Sequence, residues 1–183
     1  MSGIFKKLSL IIAALTLAFA IPAGAWPDHP ISPQAQQRLE REVRHELVML
    51  PFYGVFDNLA FKVTGYNVVL MGQVTRPTLK TDAEQAVKRI EGVEKVVNDI
   101  EVLPLSPNDD RIRFSVYRAI YSEGGPLYRY ALQAVPPIHI IVKGGHVTLE
   151  GVVANEGDKN IANLQARQVP GVFSVTNRLR TEA

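Results

Sequence analysis

The sequence predicts an α+β protein of two tandem α-β-β-α-β modules, each a three-stranded mixed sheet covered on one face by two helices. Three observations lead there. The first is an internal repeat: at a constant offset of 79, residues 63–98 match residues 142–177 at twelve of 36 positions, where chance at average composition gives about two. The matches include Val63 with Val142, Leu70 with Leu149, Gly72 with Gly151, Gly92-Val93 with Gly171-Val172 and Asn98 with Asn177. The second is that each copy switches from a helical to an alternating apolar pattern and back, with one apolar side every time. The third is the break at Leu103–Asn108, where Pro104 and Pro107 form a linker too short and stiff to let the halves wander.

Taken in order, Ser32-Pro33 reads as a helix cap followed by proline at the first helical position. Leu39, Val43, Leu47 and Leu50 then recur at three- and four-residue spacing, and Pro51 ends the helix. A hairpin follows. With Gly65-Tyr66 as its two-residue turn, Phe61, Val63, Val68 and Leu70 share one face, while Ala60, Lys62, Val69 and Met71 share the other. An apolar outer face calls for cover, so Val69 and Met71 are expected to lie against the other module or a partner chain. Thr78–Ile90 reads as the second helix, with Gly92 as its stop, and Val93–Val102 as one third strand. The second copy repeats this pattern, but the first helices align at an offset of 73, which places a six-residue insertion within 121–137. The modules are thus expected at 34–103 and 108–183, joined by 104–107. A core this small is marginal for about 70 residues, so packing of one copy on the other would help.

Ahead of the modules, Lys6 and Lys7 precede an apolar run, Leu8–Ala20, and Ala23-Gly24-Ala25 offers a cleavage site. Residues 1–25 are therefore expected to be a signal peptide cleaved after Ala25, with 26–33 as a lead-in and the mature chain periplasmic or secreted. There is no cysteine for a disulfide or a lipid anchor. Removing Lys6 and Lys7 leaves 18 basic against 18 acidic residues, and no basic stripe appears, which argues against nucleic acid as a partner.

The V-x-x-G-x-V-x-L-x-G pattern at Val142, Gly145, Val147, Leu149 and Gly151, followed by Gly171, Val172, Val175 and Asn177, resembles the BON domain of bacterial envelope proteins. The first copy fits with Val63, Val68, Leu70, Gly72, Gly92, Val93, Val96 and Asn98, but carries Tyr66 where the turn glycine stands, with Gly65 beside it. The resemblance covers nearly all of the mature chain. It implies an α/β sandwich without a catalytic centre, connected with envelope stress or integrity and with phospholipid contact.

The residues themselves hold no nucleophile elbow, zinc-protease helix or phosphate loop, which speaks against an enzyme. No cofactor is expected. Of the four histidines His29, His45, His139 and His146, the last two share the outward hairpin face about three residues apart, with no carboxylate or cysteine to complete a metal site, and read as exposed strand residues. Asp109-Asp110 suits a helix start. Asn98 and Asn177 read as structural amides bonded to a neighbouring backbone rather than as recognition contacts. The anomaly is a cluster in the second copy: four of the six tyrosines fall within 14 residues, interleaved with arginine. Arg113, Tyr117, Arg118, Tyr121, Tyr128, Arg129 and Tyr130 are accordingly the candidate contact residues, a composition suited to lipid headgroups or a protein hot spot. The alternative is that Tyr117 and Tyr121 merely flank the helix stripe and the insertion packs on its own module. The expected function is a non-enzymatic envelope protein attaching to an anionic phospholipid surface or an envelope partner. The competing one is a chaperone-like or scaffold protein that binds polypeptides through an exposed sheet edge or apolar groove.

Overall fold

The computed structural model describes residues 31–182; the expected signal peptide, and His29, lie outside that range. In the first module Ser32 accepts the Ala35 N–H at 3.2 Å and Pro33 opens helix α1, Pro33–Val48, which buries Leu39, Val43 and Leu47. Strands β1 (Asn58–Thr64) and β2 (Asn67–Val74) pair antiparallel with Thr64 opposite Asn67, so Gly65-Tyr66 is the turn and Val63, Val68 and Leu70 face the helices. Helix α2 (Pro77–Lys88) buries Leu79, Ala83, Ala86 and Val87. Strand β3 (Lys95–Asn98) and strand β4 (Glu101–Val102) then run parallel to β2, giving the order β1-β2-β3 with β4 continuing beside β2.

Two local expectations change. The single third strand is two pieces, because the Asn98 side-chain carbonyl accepts the Ile100 N–H at 3.3 Å, a local bond that bends the chain out of the ladder. Asn98 also donates to the Lys80 carbonyl at 2.9 Å, and Asn177 donates to the Lys159 carbonyl at the same distance, so both amides pin a strand to a helix backbone as the structural reading required. Gly92 is not the helix stop either. The helix ends at Lys88 with Arg89 in right-handed geometry, and Gly92, at φ +92°, shapes the following turn, closed by Val93 N–H on the Ile90 carbonyl.

The second module repeats the path. Helix α3 (Pro107–Ile120) leads through a short helix α4 (Tyr128–Ala131) in the insertion to β5 (Ile138–Lys143), β6 (His146–Val153), α5 (Glu156–Arg167), β7 (Ser174–Asn177) and β8 (Arg180–Thr181). Its sheet order is β5-β6-β7, again with a parallel extension. The repeated Gly72 and Gly151 are required by space as well as by conformation. At φ +116° and +123°, an added Cβ would lie 2.0 Å from the Asn58 carbonyl oxygen and 1.9 Å from that of Pro137.

The modules meet through the loop 49–57 and the outer face of the second sheet. The Val55 carbonyl accepts the Ile140 N–H at 2.8 Å, and Tyr53 stacks on His139 with centroids 5.6 Å apart. Lys143 bridges to Glu101 at 2.5 Å. Within the chain, the close cover expected for Val69 and Met71 falls instead on the outer face of the second sheet. Met71 remains 37 % exposed and Val69 half-buried, whereas Ile141, on the outer face of the second sheet, is only 5 % exposed and His139 is largely covered. His139 is thus not a solvent-exposed strand residue: the burying loop belongs to the other module, which a strand pattern cannot reveal.

Candidate functional site

The Tyr/Arg cluster divides into residues that build the second module and residues that face outward. In a hairpin with a two-residue turn, every second residue of the outer strand points its N–H and C=O away from the partner strand. On β5 these are Ile138, Ile140 and Val142, and all three are covered. The Tyr121 hydroxyl accepts the Ile138 N–H at 3.1 Å and donates to its carbonyl at 2.9 Å. Val55 takes Ile140, and the Arg113 guanidinium donates to the Val142 carbonyl at 2.7 Å while bridging to Asp110 at 2.5 Å. Arg113 is 4 % exposed and Tyr121 5 %. Burial pushes the Tyr121 phenol well above its usual range, which keeps it a proton donor. Asp109, buried beside them, does more than favour the helix start: its carboxylate accepts the N–H groups of Gly144 and Gly145 at 2.8 Å each, fastening the hairpin turn to α3.

Tyr130 is also internal. Its hydroxyl donates to Asp158 at 2.7 Å and accepts the Ala154 N–H at 2.8 Å, docking the insertion on the start of α5, while Leu127 enters the core. Arg129 lies on the surface but pairs with the same Asp158 and with the Tyr130 ring, 4.8 Å from its centroid. Arg113, Tyr121 and Tyr130 therefore cannot touch a surface outside the molecule without unfolding part of it, and Arg129 is already engaged. Tyr128 is half-buried.

What remains outward is a stripe on α3. Arg111, Phe114 and Arg118, at i, i+3 and i+7, lie on the side away from the buried Ile112, Val116 and Ile120. Arg111 bonds only to Asn108, and Arg118 makes no ion pair among the described residues. Phe114 is 58 % exposed, its ring 5.2 Å from that of Phe56 between centroids and nearly perpendicular to it; the Tyr117 centroid lies 6.1 Å from that of Phe56 and 5.0 Å from that of Tyr121. Phe114 escaped the sequence reading, although its place between two arginines opposite the apolar stripe was a usable signal.

A concavity of about 640 Å³ lies in the seam. Its walls are β1, Glu40 and Arg44 of α1, and the outer face of the second sheet with His139, Glu150 and Arg180. Burial pulls the His139 pKa down, against Asp57 and Glu150, and pushes the Tyr53 phenol up to about 12. Among the described residues, no group of three His, Asp or Glu side chains is placed to hold a metal ion, and no helix is long and apolar enough to cross a membrane.

The family profile of the BON domain matches residues 36–104 and 108–183. No curated protein sequence matches the chain. Among solved structures, CdsD, a structural protein of the type III secretion system of Chlamydia trachomatis, is similar at 11 % identity with a TM-score of 0.29, covering 79 % of this chain and 93 % of its own. The C-terminal domain of CdsD gives 12 % identity and a TM-score of 0.28, covering 79 % and 98 %.

Proposed function

The chain belongs to the BON-domain family, and from that premise we propose that it is a non-enzymatic, exported envelope protein that attaches to anionic phospholipid surfaces through the outward stripe of α3. The observation that carries this reading is Arg111, Phe114 and Arg118 on one exposed helix face, two cations without an ion pair among the described residues flanking an exposed aromatic ring. Over seven residues the stripe extends about 10 Å, so both guanidinium groups can reach phosphates while the ring enters the headgroup layer. Half-buried Tyr117 and Tyr128 belong to the same module and supply further interfacial rings. Export is supported by Lys6, Lys7 and the apolar run Leu8–Ala20 ahead of Ala23-Gly24-Ala25.

Sedimentation with phosphatidylglycerol-containing vesicles tests the reading, with pure phosphatidylcholine vesicles for comparison. Each surface arginine contributes about 1 kcal/mol near an anionic membrane, so Arg111→Gln with Arg118→Gln should weaken binding about thirtyfold at low salt. Phe114→Ala should weaken it further in a manner that salt does not alter. Arg41→Gln with Arg44→Gln, on the first module, should change little. Equal losses from the two arginine pairs, or binding indifferent to lipid charge, would overturn the assignment to α3.

A further inference from the structure

The two modules treat the same strand edge differently, and the difference marks a second binding site, independent of the membrane surface. In the first module the outward N–H and C=O groups belong to Leu59, Phe61 and Val63, the counterparts of Ile138, Ile140 and Val142. Tyr53 lines the same cavity as Leu59 and stands at that end of the edge. Among the described residues, nothing hydrogen-bonds the outward backbone groups of Phe61 and Val63. The core register places Glu40 on α1 where α3 carries Arg113, since Leu39 and Val43 occupy the positions of Ile112 and Val116. A carboxylate cannot donate to a carbonyl, so Val63 lacks the cap that Arg113 gives Val142. Val55, which lies between the modules, bonds to Ile140 and leaves Phe61 open. Phe61 and Val63 instead line the 640 Å³ cavity.

We propose that this groove takes an extended, acidic polypeptide segment, which adds to the first sheet as a strand alongside β1. The segment pairs its main chain with Phe61 and Val63, four backbone groups in all. Charge selects its side chains: Arg44, Lys62 and Arg180, besides the Arg178 that pairs with Glu150, line the groove, and Glu40 is the only other acid there. Main-chain pairing supplies the affinity and the cationic walls the preference, the division of labour of strand addition elsewhere.

The test uses the chain from residue 26 onward and a fluorescent, acetylated peptide of alternating valine and glutamate, followed by anisotropy. A twin peptide N-methylated at alternate residues keeps the charge but cannot donate along one edge; it should bind roughly tenfold more weakly or worse, because each lost main-chain bond to a desolvated partner counts. Glu40→Arg builds into the first module the cap that the second possesses. It adds positive charge, yet should abolish binding with the unfolding midpoint unchanged, whereas Glu40→Ala should leave binding intact or improve it. Tighter peptide binding by Glu40→Arg would reduce the site to simple charge attraction and overturn the proposal, as would indifference to N-methylation. Concentration-dependent dimerisation that the peptide displaces would assign the edge to a second copy of the chain, and also overturn it. Neither vesicle binding nor its loss bears on these outcomes, because the α3 stripe lies outside the groove.

Discussion

Replacing Tyr121 by phenylalanine removes one oxygen atom and preserves the ring that packs beside Tyr117. That oxygen serves both edge-facing groups of Ile138, accepting at 3.1 Å and donating at 2.9 Å. Ile138 is fully buried, so neither group regains water freely. A buried backbone group left without a partner costs about 1–3 kcal/mol, which makes the expected loss about 2–4 kcal/mol after some relaxation. The comparison is Tyr117→Phe, one helical turn earlier. That hydroxyl makes no hydrogen bond among the described residues, so its removal should fall within about 0.5 kcal/mol. Urea unfolding followed by circular dichroism measures both. For a unit of this size 1 kcal/mol moves the melting midpoint by about 4–8 °C, so the Tyr121 variant should melt about 10 °C or more below the Tyr117 variant. If the two differ by less than about 0.5 kcal/mol, the hydroxyl does not hold the β5 edge, and the interior role given to this half of the cluster is wrong. If Tyr121→Phe leaves stability intact but weakens vesicle binding, the ring belongs to the contact surface instead.

Gly151→Ala places a Cβ against the Pro137 carbonyl and should cost about 3 kcal/mol or more, whereas Gly144→Ala, also at positive φ but with nothing within 4 Å, should cost only the conformational strain of about 1 kcal/mol; equal unfolding midpoints for the two would refute the crowding argument. His139 has a folded-state pKa below its ordinary 6.5, so its contribution is complete above that value and is lost as pH falls through the folded pKa, the unfolded chain taking the proton first. Melting midpoints between pH 7 and pH 5 should therefore drop in the native protein and drop less in His139→Phe; parallel curves would show that the seam does not sense this proton.

The repeat, the hairpin faces and the helix stripes were legible because each follows from apolar spacing within a few residues. Val63, Val68 and Leu70, and Leu39, Val43 and Leu47, reach the core as their periods require. The third strand was legible as a strand but not as two, since its break depends on which way the Asn98 amide turns. The candidate site was legible as a region rather than as a set of side chains. Tyr and Arg have an apolar body and a polar tip, so they satisfy a buried edge as readily as a headgroup layer. Arg113 and Arg118 differ only in what lies opposite, and for Arg113 that is the carbonyl of Val142, a group every residue possesses and no sequence advertises. His139 was misjudged for the same reason, its covering Tyr53 arriving from 86 residues away.

The Val55–Ile140 bond also imposes an order of assembly on the chain. The carbonyl comes from the first module and closes an edge of the second, while Tyr53 in the same loop covers His139. Synthesis delivers the N-terminal unit first, so the surface on which the second hairpin settles is already in place when that hairpin emerges. The dependence is uneven, since the strand edge closed across the seam belongs to the second module. A second module released by a cut in the linker would lose the cover over Ile140 and His139, while the first would keep its strand edges and lose only the packing that Val55 and Phe56 find on the second core. The duplication has thus produced a template and a dependent, and exchanging the order of the two halves would not give the same protein.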